Sequence, residues 1–204
     1  MKTEFYDQLT TAIYSCPIVY IPHFHYTLLD ETLEEIVSDL DLSLAKNVIE
    51  YDNGQQNVVD FKTKKLNDDL PEYKSPVNLL KDIVIGRFKG NGTTILVLKN
   101  FNEFLRNVEI IGLLSQFASL YERGEMDDFC TIIIMSPNPV TDVPSEINRF
   151  ITVVDVKAPD DSEIMELVNA IPVSNQFRDR EKGLRQSLCQ TLLGLQMYEV
   201  KQII

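Results

Sequence analysis

Residues 93–105 read Thr-Thr-Ile-Leu-Val-Leu-Lys-Asn-Phe-Asn-Glu-Phe-Leu, and the unbroken apolar run from Ile95 to Leu98 decides the fold class. A strand that meets water on one face alternates apolar and polar residues. One that is apolar at every position is covered on both faces, as in the middle of a parallel sheet. Lys89-Gly90-Asn91-Gly92 turns the chain into this run, and Lys99-Asn100 ends it. Two more runs have the same character: Thr131–Met135, closed by Ser136-Pro137-Asn138-Pro139, and Ile18–Ile21, bracketed by Pro17 and Pro22. Asn47–Tyr51 and Phe150–Val154 are predicted as shorter strands.

Between the strands the period changes to that of a helix. Leu29, Leu33, Ile36, Val37 and Leu40 form one stripe, with Glu31, Glu34, Glu35 and Asp39 outside it and a Thr27/Asp30 pair as a capping pattern. Val77, Leu80 and Val84 predict a helix after Pro76. Asn107 caps another that carries Val108, Ile111, Leu114, Phe117, Ala118 and Tyr121 and stops at Gly124. Pro159-Asp160 opens a further one with Ile164, Leu167, Val168 and Ile171. Beyond Pro172 only helical spacing remains, in Leu184, Leu188 and Leu192, then Val200, Ile203 and Ile204. Strands alternating with helices predict an α/β fold: a mainly parallel five-stranded sheet with helices on both faces and a small helical part at the end. The expected division is 1–172 for the α/β domain and 173–204 for the start of a helical, lid-like part. Residues 52–75 (DNGQQNVVDFKTKKLNDDLPEYKS) are polar and read as a mobile surface excursion with a small hairpin near Val58–Phe61.

With 204 residues and 44% hydrophobic content, the chain can bury one substantial core. Its net charge of −12 argues against duplex nucleic acid or an anionic membrane as partner, because both are held by Lys and Arg. Cys16, Cys130 and Cys189 are far apart and odd in number, which fits a reducing compartment better than a disulfide framework. The segment MKTEFYDQLTTAIYS is polar and acidic and does not resemble a signal peptide, so the expected location is cytoplasmic.

In a parallel sheet, ligands bind beyond the carboxyl ends of the strands. A phosphate-binding loop after the first strand needs glycines for backbone amides, a Lys for charge and a Ser or Thr for magnesium. Residues 21–27 are Ile-Pro-His-Phe-His-Tyr-Thr, without glycine or lysine, and Pro22 removes an amide donor. The strand ending at Lys99-Asn100 carries an ammonium and a carboxamide where a nucleotide hydrolase places an acidic pair for magnesium and the attacking water. His23 and His25 point the same way in an extended chain and are the weak candidates for a metal, with Asp30 nearby; the plain alternative is two loop histidines beside aromatics.

The order of elements, with "YDQLTTAIYSCPIVYI", "TTILVLKNFNEFL", "CTIIIMSPNPVTDVPSEINRFITVVDVKAPDDSEI" and "LLGLQMYEVKQII", resembles the degenerate N-terminal AAA-like domain of bacterial and plastid AAA-type, spastin-related ATPases. The resemblance implies a P-loop-like fold whose own site is inactive at Pro22, His23, His25, Lys99 and Asn100. ATP and Mg2+ would be used by a downstream module. It puts Ser136 and Asn138 in the sensor region, where a turn is the plainer reading of Asn138. It puts Arg149 near the position of a trans-acting arginine finger, where an ordinary surface arginine is the plainer reading. No catalytic residue and no cofactor are expected in this chain. The implied role is assembly, regulation or substrate engagement, with the chain's own downstream module and neighbouring subunits as partners, and a protein that continues beyond Ile204. The competing readings are a free-standing adaptor acting through its acidic helices and a metal-dependent enzyme using His23 and His25.

Overall fold

The computed structural model describes residues 2–23, 26–39, 47–66, 70–88, 94–126, 129–139, 143–171, 181–195 and 197–204. The chain divides into two compact units, Lys2–Asp155 and Val156–Ile204. The first contains helix α1 (Lys2–Ser15), β1 (Ile18–Ile21), α2 (Tyr26–Asp39), β2 (Asn47–Asp52), β3 (Asn57–Asp60), α3 (Pro76–Val84), β4 (Thr94–Lys99), a 3-10 turn (Phe104–Arg106), α4 (Val108–Glu122), β5 (Phe129–Met135), α5 (Ser145–Asn148) and β6 (Ile151–Val153).

Among the described residues the sheet has six strands in the order β3-β2-β4-β5-β1-β6, one more than the five expected. Five are parallel, and β3 pairs antiparallel with β2 at the edge, Glu50 opposite Val59 and Tyr51 opposite Val58. The three apolar runs occupy the adjacent places β4, β5 and β1. Their residues Ile95–Leu98, Ile132–Ile134 and Ile18–Ile21 are all at most 1% exposed, as two-sided burial requires. Alternation splits them between two layers. Ile18, Tyr20, Leu96, Leu98, Ile132 and Ile134 join Leu79, Leu80, Ile83, Ile110, Leu114 and Phe117 of α3 and α4 in one core. Val19, Ile21, Val97 and Ile133 point to the opposite face, where α1 and α2 pack together.

Local sequence sets the helix ends. Ser75 accepts a hydrogen bond from the Val77 amide with Pro76 in the first turn, and Asn107 accepts one from the Glu109 amide. The expected cap at the start of α2 is different: Thr27 sits inside the helix, and the Asp30 carboxylate is engaged by lysines. Helix α1 is an element the sequence reading did not assign, although Phe5, Leu9, Ala12 and Ile13 are all buried.

The polar stretch after β2 is not a loose excursion where the structure describes it. Val58, Val59, Phe61 and Tyr73 are at most 4% exposed. The Asn57 carboxamide oxygen accepts from the amides of Val58 and Tyr73, tying both ends of the stretch together. Burial, together with the Asp82 carboxylate that the Tyr73 hydroxyl donates to, pushes Tyr73 up to about 12, so this hydroxyl remains a donor. Lys89–Gly92 lies outside the described residues, as does His25.

The second unit contains α6 (Asp161–Ala170), α7 (Glu181–Leu192) and α8 (Met197–Ile203). Asp160 and Glu163 form a full capping box at the start of α6. Ile164, Val168, Cys189, Leu192 and Val200 make its core. Arg185 donates to the carbonyls of Val168 and Ile171 at the end of α6, where a cation complements the helix dipole. Helix α6, grouped by its sequence with residues 1–172, therefore packs with the C-terminal helices.

Because Phe61 is buried although it sits in the turn after β3, Phe61→Ala should lower unfolding free energy by about 3–5 kcal/mol in urea titration. A change below about 0.5 kcal/mol is what a mobile excursion would give.

Candidate functional site

The carboxyl ends of β4, β5 and β1 lie side by side, so the sheet gathers three groups of predicted positions at one edge. Pro22 and His23 follow β1, Lys99 and Asn100 end β4, and Ser136 and Asn138 follow β5. His23 is buried, with its amide donating to the Ile21 carbonyl. The Ser136 amide donates to the same carbonyl, which stitches the β5 exit to the β1 exit. Ser136 is fully buried, its hydroxyl oxygen accepting from the Asn138 amide at 3.4 Å. The Asn138 carbonyl in turn accepts the Tyr20 hydroxyl at 2.9 Å. Asn100 takes the left-handed conformation, φ +51°, and its amide donates to the Met135 carbonyl. Asparagine tolerates that region better than most residues.

Lys99 is the chemical centre of this edge. Its side chain is 12% exposed, and its ammonium lies 2.6 Å from the Asp30 carboxylate on α2 and 3.0 Å from the Glu50 carboxylate on β2. Lys64, from the turn after β3, reaches the same two carboxylates at 3.2 and 2.7 Å. Two ammoniums and two carboxylates thus form a closed, neutral cluster. The Phe61 ring lies 4.0 Å from the Lys64 ammonium and 5.4 Å from that of Lys99, and the Tyr26 ring lies 5.6 Å from the latter. Burial works against the charge on Lys64, but the hydrogen bond it donates to Glu50 and the fields of Glu50 and Asp30 outweigh it, and its pKa is raised. Burial and Glu50 also raise the Tyr26 phenol.

Asp30, Glu50 and Lys64 are the residues sequence reading did not bring together with Lys99. With Lys99 they come from α2, β2, β4 and the turn after β3, and no local spacing links positions 30, 50, 64 and 99. Asp30, weighed as a third ligand beside the histidines, is instead held by the lysines. Among the described residues no group of three or more His, Cys, Asp or Glu side chains is placed to hold a metal. Arg149 lies away from the cluster, after α5, exposed and with its guanidinium 4.3 Å over the Phe150 ring. No helix among the described residues is long and apolar enough to cross a membrane.

The family model described as SpoVK-like AAA ATPase, N-terminal domain, matches residues 5–156, nearly the span of the first compact unit. Among solved structures, domain III of the Thermotoga maritima replication initiation protein DnaA aligns with 97% of this chain and 78% of its own, at 10% identity and a TM-score of 0.50. C. elegans PCH-2 aligns with 98% of this chain and 59% of its own, at 10% identity and a TM-score of 0.51. At such identity the likeness shows the fold. No curated protein sequence matches the chain.

Removing one member of a buried charge cluster strands the others. Lys99→Met should therefore cost about 3–5 kcal/mol, and adding Glu50→Leu should recover much of it, both read from chemical denaturation. The raised pKa of Lys64 fixes a pH window as well. Its contribution is fully present below the ordinary value of 10.5 and is lost as pH rises through the higher folded value. Thermal melts followed to strongly alkaline pH should show a loss in wild type that is smaller in Lys64→Met.

Proposed function

We propose, from the premise that this chain belongs to the family of SpoVK-like AAA ATPase N-terminal domains, that it is a non-catalytic AAA-type domain. It serves assembly, regulation or substrate engagement of a larger ATPase whose hydrolysis takes place in a downstream module. The observation that carries this reading is the Lys99–Asp30–Glu50–Lys64 cluster. A magnesium nucleotide site needs a net acidic group to hold the metal and free positive charge with amide donors for the phosphates. Here the lysine at the end of β4 supplies the cation internally, and the two nearest carboxylates are saturated by it and by Lys64. The exit of β1 adds a proline and a buried histidine instead of glycines and a lysine. The residues present do not fit ATP with Mg2+, and no step of hydrolysis is routed through them. Both belong to the proposed downstream module, with neighbouring subunits as the partners of this domain.

On this reading the Arg149 guanidinium acts in trans. It is exposed, and its guanidinium lies over the Phe150 ring, a contact that leaves the charge available to a nucleotide on an adjacent subunit.

Titration calorimetry of the chain with a non-hydrolysable ATP analogue and Mg2+ should give no heat of binding, and micromolar affinity would overturn the assignment. In the parent ATPase, Arg149→Ala should reduce turnover by about tenfold or more while the melting temperature stays unchanged. Unchanged turnover would return Arg149 to the role of a surface residue.

A further inference from the structure

The two outer strands of the sheet are finished differently. Beyond β3 the chain folds back on its own edge: the Asp60 amide donates to the Lys65 carbonyl, Val59 bridges Leu66, and Lys62, Lys64 and Lys65 follow the strand. An edge covered and charged in this way is closed to further pairing. At the other side, β6 is Ile151-Thr152-Val153, with no charge and no proline, and Val153 is 42% exposed.

The ladder shows which groups of β6 are already used. Tyr20 lies opposite Val153, and the Val154 amide donates to the Tyr20 carbonyl. The amide and carbonyl of one strand residue point to the same side, and that side alternates along the strand. Thr152 and Val154 therefore face β1, and the N–H and C=O groups of Ile151 and Val153 face away from the sheet. Two donors and two acceptors stand in line, a template for one more strand.

We propose that β6 takes up an extended peptide segment as an added strand, one that alternates cationic and apolar side chains. The surfaces beside the edge set that alternation. On the α1 side an open crevice of about 520 Å3 runs along it, its polar wall made by Asp7, Gln8, Thr11, Ser15 and Thr152. The hydroxyl donors of this wall are spent. Thr11 donates to the Asp7 carbonyl, Ser15 to the Thr11 carbonyl and Thr152 to Cys16 Sγ at 2.8 Å. The Gln8 carboxamide nitrogen donates to Glu4 Oε1. What the wall offers an incoming chain is acceptor oxygens and the exposed Asp7 carboxylate, and no lysine or arginine among the described residues lines it. Asp155, exposed just beyond the strand, adds a second carboxylate.

On the other face of the edge the neighbours are apolar. Side chains alternate along a strand, so Ile151 and Val153 lie on the face away from Thr152, and Ile151 packs against the core beneath α3 and α4. A peptide residue set beside them gains an apolar cross-strand pair. The residues on either side of it turn toward α1, where acceptor oxygens and Asp7 stabilise an ammonium or guanidinium. A second copy of this chain pairing through β6 would set net charges of −12 against each other, so charge selects a basic partner instead. The inference goes beyond the proposed ATPase role and does not depend on it.

The test is an NMR titration of the 15N-labelled chain with three end-blocked hexapeptides: alternating Lys-Val, alternating Glu-Val, and Lys-Val with every backbone nitrogen methylated. The Lys-Val peptide should give saturable shifts at the Ile151 and Val153 amides and slow their hydrogen exchange at least about tenfold. The Thr152 and Val154 amides, already in the ladder, should be slow before any peptide is added. The Glu-Val peptide lacks the complementary charge and the methylated one lacks strand donors, so each should bind at least about tenfold more weakly. Asp7→Asn, at an exposed position, should weaken the Lys-Val peptide by about threefold and leave the melting temperature unchanged. Val153→Pro removes an outward N–H and no ladder bond, and should abolish binding. The peptide comparisons need no variant, so they decide even if Val153→Pro fails to fold. No saturable shift up to roughly 5 mM, unslowed exchange at Ile151 and Val153, or equal binding of Lys-Val and either other peptide would each overturn the proposal. Dimerisation of the chain alone in sedimentation, lost in Val153→Pro, would assign the edge to a second copy and overturn it as well.

Discussion

A lysine ammonium at the end of a central strand must be neutralised where water scarcely reaches it, and the arrangement around the sheet edge follows from that requirement. Taking an ion out of water costs several kcal/mol after relaxation, so Lys99 is tolerable only with carboxylates at hydrogen-bond distance. One comes from α2 and the other from β2, which fixes how far α2 slides along the sheet. Two carboxylates beside one ammonium leave an excess negative charge, and Lys64 cancels it. Lys64 can reach them only because the chain after β3 folds back, with the Lys64 amide donating to the Asp60 carbonyl and Lys64 itself at φ +54°. The antiparallel edge strand and its turn are thus tied to the same charge balance that holds α2.

Most of the architecture was legible in the sequence, because the strands that carry it are apolar on both faces and need no long-range information to be recognised. Ile18–Ile21, Ile95–Leu98 and Ile132–Ile134 announce a parallel centre, and each lies where its pattern puts it. The sixth strand was harder to read. Asn57–Asp60 has only two apolar residues, and its burial comes from pairing with β2 and from the Asn57 bridge to Tyr73. Helix α1 carries its apolar positions among threonines and acids, a pattern weak enough to pass for a polar leader. The site divides in the same way. What stands at the strand ends is written in the chain, whereas the partners of Lys99 are set by the sheet register and the α2 packing.

The cluster also separates two properties that travel together in a nucleotide-binding sheet. The fold rests on apolar strands buried on both faces, and the chemistry rests on a few residues beyond the strand ends. Fold likeness at 10% identity to DnaA domain III and PCH-2 reflects the first alone. In a sheet that binds nucleotide, the helix after β1 is positioned partly by a bound anion and its metal, so its placement depends on what is bound. Here Asp30 on that helix is held by ammoniums of the chain itself. A helix held by internal charge keeps its place whether or not a ligand is present, because a ligand shifts an equilibrium only through different affinities for the two states. On the proposed reading, the domain is a part of fixed shape against which a responsive module can work, and the Lys99 cluster is what fixes it.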